Sequence, residues 1–276
     1  MPDTPDDASL SPVAGVRIGV FDSGVGGLSV LRALREQLPQ AELLYVADSG
    51  HAPYGEKTDA FVVARSQAIA DFLMAQGADM LVVACNTATA AAVQALRNTW
   101  PDVPIVGVEP GIKPAATLSR NGKVGVLATE GTLASQRFRD LLARHGHTVS
   151  VVTQACPGLA REIELGELDS PQLRTLVATF SQPLLRAGVD TVVLGCTHYP
   201  FVRELFQAVL GPTVTIVDTS DAVARRAAAL AARVPPPPRA TVMPGAARLW
   251  SSGDPARLSS VAARWLGLIA PAHALP

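Results

Sequence analysis

The chain has 276 residues, 48% hydrophobic and 5% aromatic, with a formal net charge of −1. That length accommodates one large or two medium globular domains, and a composition heavy in Ala, Val and Leu excludes a disordered or fibrous chain. The near-zero charge gives no pull toward polyanions, so neither nucleic acid nor an anionic membrane surface is expected as a partner, and no apolar run approaches the roughly 20 residues that cross a bilayer.

Residues 1–15 carry Asp3, Asp6 and Asp7 but neither the basic start nor the apolar centre of a signal peptide, and read as a disordered tail. An apolar run over 16–21 has strand length. It is followed by the turn Asp22-Ser23-Gly24-Val25-Gly26-Gly27 and a helix-spaced stretch over 28–38. A second strand over 43–47 ends in a polar loop, 48–58, that holds Pro53-Tyr54-Gly55. The spacing then predicts a helix over 59–76 closed by Gly77, a strand over 80–84 that delivers Cys85, a helix over 88–99, and a strand over 105–108.

The rhythm restarts with a strand over 123–128, a loop over 129–132 and a helix over 133–145. A strand over 148–153 runs toward Cys156-Pro157, and helices follow over 159–166 and 170–187. A strand over 191–194 delivers Cys196, and another over 214–217 precedes a helix over 222–234. Pro235 to Pro238 supply no backbone donors and read as a stiff connector. A short strand near Leu249-Trp250, the turn Ser252-Gly253-Asp254-Pro255 and a final helix close the chain.

These elements predict an α/β fold of two pseudo-symmetric parallel-sheet domains with the site in the cleft between them. The expected division is residues 16–109 with 218–276 as a first domain carrying Cys85, and residues 110–217 as a second carrying Cys196. Three cysteines at unrelated spacings suit free thiols in a reducing cytoplasm, not disulfides.

Cys85 and Cys196 each end a β-branched apolar run just before what reads as a helix start. Backbone donors and a helix dipole there are expected to lower a thiol pKa. Cys156 reads as a small buried hydrophobe. His198 lies two residues beyond Cys196, where it can stabilise charge on that thiol. The Gly24, Gly26, Gly27 turn lacks both the dinucleotide and the P-loop spacing. Cys85, Cys196 and His198 lack a fourth zinc ligand, and none of Lys57, Lys113 and Lys123 has a clear Schiff-base context.

Taken together, Phe21 to Ser29, Pro53-Tyr54-Gly55, Ala84 to Ala88, Ala155-Cys156-Pro157, Gly195 to Pro200 and Ser252 to Pro255 resemble the glutamate racemases of the aspartate/glutamate racemase family. The resemblance implies interconversion of L- and D-glutamate with no cofactor and no metal, supplying D-glutamate for peptidoglycan. It implies that Cys85 deprotonates D-glutamate with Asp22 as helper, and that Cys196 deprotonates L-glutamate with His198 and Glu164 as helpers. Glu162 is the alternative carboxylate. Ser23, Asn86, Thr87 and Thr197, with backbone N–H groups at Tyr54 and Gly55, are the groups expected to hold the substrate, together with Asp22 and His198. A homodimer is implied by the family. Some members also inhibit DNA gyrase, a partner that nothing in this sequence supports. The competing readings are a two-cysteine racemase of aspartate or a hydantoin, and a cysteine hydrolase with Cys196 as nucleophile and His198 as base.

Overall fold

A computed structural model describes residues 15–235, 243 and 245–276. Residues 1–14 of the expected tail and 236–238 of the expected connector lie outside the described residues.

Among the described residues, ten strands form two sheets, each entirely parallel. The larger contains β1 (Arg17–Asp22), β2 (Glu42–Ala47), β3 (Met80–Val83) and β4 (Ile105–Gly107), joined late in the chain by β9 (Ala247–Ser251) and β10 (Ala272–Ala274). Its order is β10-β9-β2-β1-β3-β4. The smaller holds β5 (Lys123–Ala128), β6 (Ser150–Ala155), β7 (Thr191–Gly195) and β8 (Thr215–Val217) in the order β6-β5-β7-β8. The first four strands of one sheet therefore repeat the order of the other. In each, the first strand is central, the second lies on one side of it and the third on the other.

The helices in chain order are α1 (Leu28–Gln37), α2 (Asp59–Ala75), α3 (Asn86–Thr99), α4 (Ile112–Leu118), α5 (Glu130–Ala134), α6 (Gln136–His145), α7 (Leu159–Glu164), α8 (Pro171–Ala187), α9 (Arg203–Leu210), α10 (Ser220–Ala231) and α11 (Pro255–Leu266). They cover both faces of both sheets, which is why the central strands read as unbroken apolar runs without alternation. Alternate residues still choose faces. Ile18, Val20, Met80 and Val82 pack with α1, α10 and α11, whereas Phe21, Leu81 and Val83 pack with α2 and α3. In the smaller sheet, Val192 and Leu194 pack with α8 and α9, and Val193 packs with residues of α4 and α6.

The α/β class and the two parallel sheets agree with the sequence reading, but several boundaries differ. The helix after Cys85 begins at Asn86, two residues early, because Cys85 itself caps it. The helix expected over 133–145 is two helices, with Thr129 capping α5 and Ser135 capping α6 through side-chain oxygens. Short α4 and α9 and the edge strand β10 were not foreseen.

Candidate active site

In a parallel sheet ligands gather at the carboxyl ends of the strands, beside the point where successive connections diverge. In the larger sheet that point is the end of β1, and its last residue is Asp22. Asp22 is fully buried. Its Oδ2 accepts the Gly27 N–H at 2.6 Å, and the Ser23 hydroxyl donates to Oδ1 at 3.4 Å. The Tyr45 hydroxyl ties the turn from beneath by donating to the Gly24 carbonyl at 2.7 Å. Two glycines in this turn are dictated by what lies opposite. A Cβ on Gly24 would enter the Glu164 carboxylate, and one on Gly26 would enter the His198 ring.

Cys85 follows β3. Its sulfur accepts the Ala88 N–H at 3.4 Å and its thiol points to Ser23 Oγ at 3.8 Å. The expectation of a lowered pKa is corrected here. Burial and the neighbouring Asp22 carboxylate push the Cys85 thiol well up, and the single helix-start N–H does not offset them. Burial likewise raises the Asp22 carboxyl, against the pull of His198. In the first turn of α3, the Asn86 amide donates to the Val108 carbonyl at 3.5 Å. The Thr87 hydroxyl lies 3.0 Å from that of Thr129 and 3.4 Å from that of Thr132, both from the smaller sheet's side.

Cys196 follows β7, and no α-helix starts there. Thr197 and His198 form a turn, a 3₁₀ segment spans Tyr199–Val202, and α9 comes only afterward. Its sulfur instead faces His198 Nδ1 at 3.6 Å. His198 Nε2 lies 2.5 Å from Glu164 Oε1, and that same oxygen accepts the Val25 N–H at 2.6 Å. Burial alone would push the imidazolium down, but the contacts with Cys196 and Glu164 carry it well above the ordinary histidine range. The Ser29 hydroxyl donates to the Thr197 carbonyl at 2.9 Å, a further tie from α1 across to this turn. Glu162 turns away and accepts a hydrogen bond from Ser170 at 2.9 Å. Two residues on a helix are about 200° apart, so only one of the two carboxylates can face His198.

Tyr54 and Gly55 begin a short 3₁₀ segment, Tyr54–Glu56. The Tyr54 hydroxyl donates to Asp48 Oδ2 at 2.5 Å, and Arg65 holds both oxygens of Asp48 at 3.0 and 2.7 Å. Despite burial, hydrogen bonds from Arg65, Ser252, Tyr54 and His51 keep the Asp48 carboxyl below the usual range. Gly55 presses on Thr129 so closely that a Cβ would collide with it. The loop therefore bridges the two sheets.

Asp22, Ser23, Cys85, Asn86, Thr87, Cys196, Thr197, His198 and Tyr54 are all buried, and Glu164 nearly so. The two thiols retain 5% and 7% exposure. Cys156 sits in the core of the smaller sheet and donates to the Gln154 carbonyl. Sequence reasoning overlooked Thr129, Thr132 and Asp48. The signal was available for Thr129 and Asp48, since each is the first polar residue after a buried strand.

Residues 18–227 match the family model described as Asp/Glu/Hydantoin racemase. A glutamate racemase of Pseudomonas syringae pv. tomato is 56% identical over 233 residues, spanning 84% of this chain and 85% of that protein. Among solved structures, a glutamate racemase isoform from Bacillus anthracis superposes with a TM-score of 0.84 at 30% identity, covering 95% of this chain and 98% of that one. The Escherichia coli glutamate racemase, solved with L-glutamate and an activator, gives a TM-score of 0.82 at 35% identity, covering 90% and 94%. By the matched family, the identity and the shared architecture, the chain belongs to the glutamate racemases, isomerases of the Asp/Glu/Hydantoin racemase family.

Proposed function

We propose that the chain interconverts L- and D-glutamate by a two-base mechanism with no cofactor or metal, Cys85 and Cys196 exchanging the α-proton from opposite sides. The observation that carries this reading is the unequal pairing of two matched thiols. Each follows the third strand of its sheet, yet Cys85 has the Asp22 carboxyl beside it and Cys196 faces the His198 ring at 3.6 Å.

That inequality matters because one thiol must hold a proton while the other lacks one. Asp22 and burial keep the proton on Cys85, and His198 stands 3.6 Å from Cys196. In this reading Cys196 takes the α-proton of L-glutamate and Cys85 returns one. For D-glutamate the roles exchange, and Asp22 is placed to receive the Cys85 proton. The raised imidazolium pKa makes His198 a poor general base, which weighs against a cysteine hydrolase.

The α-proton is very weakly acidic, and each unit of mismatch with the base costs about 1.4 kcal/mol. Donors aimed at the substrate carboxylates must therefore blunt the developing carbanion. Ser23, Asn86, Thr87 and Thr197, with backbone N–H groups at Tyr54 and Gly55, are the groups assigned this purpose in the present reading. The D-glutamate so formed is the enantiomer used in bacterial peptidoglycan, and cytoplasmic supply of it is the role that the family resemblance implies.

Turnover in deuterium oxide tests the mechanism. Each enantiomer should give product deuterated at the α-carbon, with little label in recovered substrate at early times. Equal early labelling of both pools would point to one exchanging base. Aspartate and hydantoins run beside glutamate decide the substrate.

A further inference from the structure

A cavity of about 190 Å³ opens beside Glu164. Its inner wall is built from the site itself, by Val25 of the glycine turn, Pro53 of the substrate loop and Glu164. From Glu164 the path to the chemistry is short, through His198 Nε2 at 2.5 Å and from His198 Nδ1 to Cys196 at 3.6 Å. Two arginines stand on the remaining walls, Arg161 from α7 and Arg257 from α11. They come from opposite sides of the cleft, one following β6 and the other β9.

The charges around this cavity are unequally satisfied. Glu164 is engaged by His198 and by the Val25 N–H. Asp254 caps α11 by accepting the Ala256 N–H at 2.9 Å. Arg161 is exposed and reaches across the cleft to Glu56 at 3.0 Å. Arg257 is exposed and has no ionic or hydrogen-bonding partner among the described residues. It also sits in the first turn of α11, where a cation is disfavoured by the helix dipole, so its position does nothing for the stability of that helix.

We propose that this cavity is the entry vestibule for the dicarboxylate substrate, with Arg257 as the capture residue and Arg161 as a second cation. Arg161 leaves Glu56 for a substrate carboxylate as the cleft opens. The proposal rests on the reading of the substrate as an amino acid with two carboxylates. An exposed ion pair such as Arg161–Glu56 is worth little in water, about 0–1 kcal/mol, so exchanging it for a passing carboxylate is cheap. An unpaired cation at the mouth raises the local concentration of an anion, and that effect fades as salt screens it.

Steady-state kinetics on the full chain test this. Arg257→Gln and the double variant Arg161→Gln/Arg257→Gln should raise KM for both enantiomers roughly threefold to tenfold at low ionic strength, with kcat nearly unchanged. The gap from wild type should close at about 0.5 M salt, where the screening length falls to several ångströms. Arg257→Lys should keep most of the salt dependence, and Arg144→Gln, on the distant helix α6, should behave as wild type. Unchanged KM and salt slope in the double variant would overturn the vestibule, as would a fall in kcat equal to the fall in kcat/KM. Loss in Arg257→Lys as large as in Arg257→Gln would overturn the role of charge. Wild-type turnover reads the substrate assignment separately: if wild type leaves glutamate unconverted, the functional reading fails and takes the vestibule with it.

Discussion

Val25 and Glu164 meet across the cleft between the two sheets. The Val25 N–H donates at 2.6 Å to the same carboxylate oxygen that pairs with His198. The carboxylate behind the His198–Cys196 pair is thus held by backbone from the other half of the molecule. The partner of Cys85 is not, because Asp22 is bound by Gly27 and Ser23 of its own turn. Opening the cleft disturbs one thiol's support and leaves the other's intact.

Gly24→Ala tests that asymmetry, since the added methyl displaces Glu164. Loss of a charged hydrogen bond of about 2 kcal/mol corresponds to roughly a thirtyfold fall in kcat. The fall in kcat should be larger from L-glutamate, where Cys196 is the base, than from D-glutamate, with KM moving in step, because an equilibrium constant of unity holds kcat/KM equal for the two enantiomers. Saturating initial rates in the two directions, followed by circular dichroism, give the comparison. Equal losses would remove the directional role of Glu164.

Cys85→Ser and Cys196→Ser should each lower racemisation by about a hundredfold to ten-thousandfold, the usual contribution of a positioned acid or base. Full activity in either variant takes that residue out of the mechanism. Unchanged thermal unfolding in the same variants shows that the loss is chemical and not structural.

His198 supplies a pH dependence with a definite sign. Its folded-state pKa is raised well above 6.5 by the contacts with Cys196 and Glu164 against the opposing effect of burial. The stabilisation is therefore complete below pH 6.5 and lost as pH rises through the folded value. Melting temperatures across the neutral and alkaline range should show wild type losing its advantage over His198→Asn as pH increases.

Asp22 carries the same sign at lower pH. Burial raises its carboxyl above 3.8, so the folded state holds that proton more tightly than the unfolded chain. Its contribution to stability is greatest below pH 3.8 and is lost as pH rises through the folded value. Asp22→Asn should gain in melting temperature relative to wild type on going from pH 4 to pH 7, while racemisation falls. A variant that is relatively less stable at pH 7 than at pH 4 contradicts the assignment.

Much of the frame was legible because buried parallel strands announce themselves. Residues 80–83 and 191–194 are apolar without interruption, and a cysteine after each is visible to the eye. The α/β class followed from that pattern and from the helical spacing between runs. What escaped was short or relational. β10 is three residues with His273 at its centre, and α4 contains Pro114, so neither carries a strong period. The break at Ser135 lies inside a stretch that scores as one helix until its capping oxygen is seen. The ionisation of Cys85 was misjudged because a helix start is a local feature, whereas the burial and the Asp22 carboxylate that override it depend on how other strands and helices pack around it. Which of Glu162 and Glu164 faces the histidine depends on helix rotation, a quantity that a six-residue element does not fix from sequence.

The late return of the chain has a consequence for biogenesis. β2 pairs Leu43 with Ala247, some two hundred positions later, and α10 and α11 cover the same side of the larger sheet. During synthesis the smaller sheet, closed between residues 123 and 217, is finished while the larger one still lacks an edge and part of its cover. The nascent protein therefore exposes an open β2 margin until β9 has left the ribosome, and pairings so remote in sequence are slow to form. C-terminal truncation should strike the older, N-terminal sheet first and leave the later-made one intact.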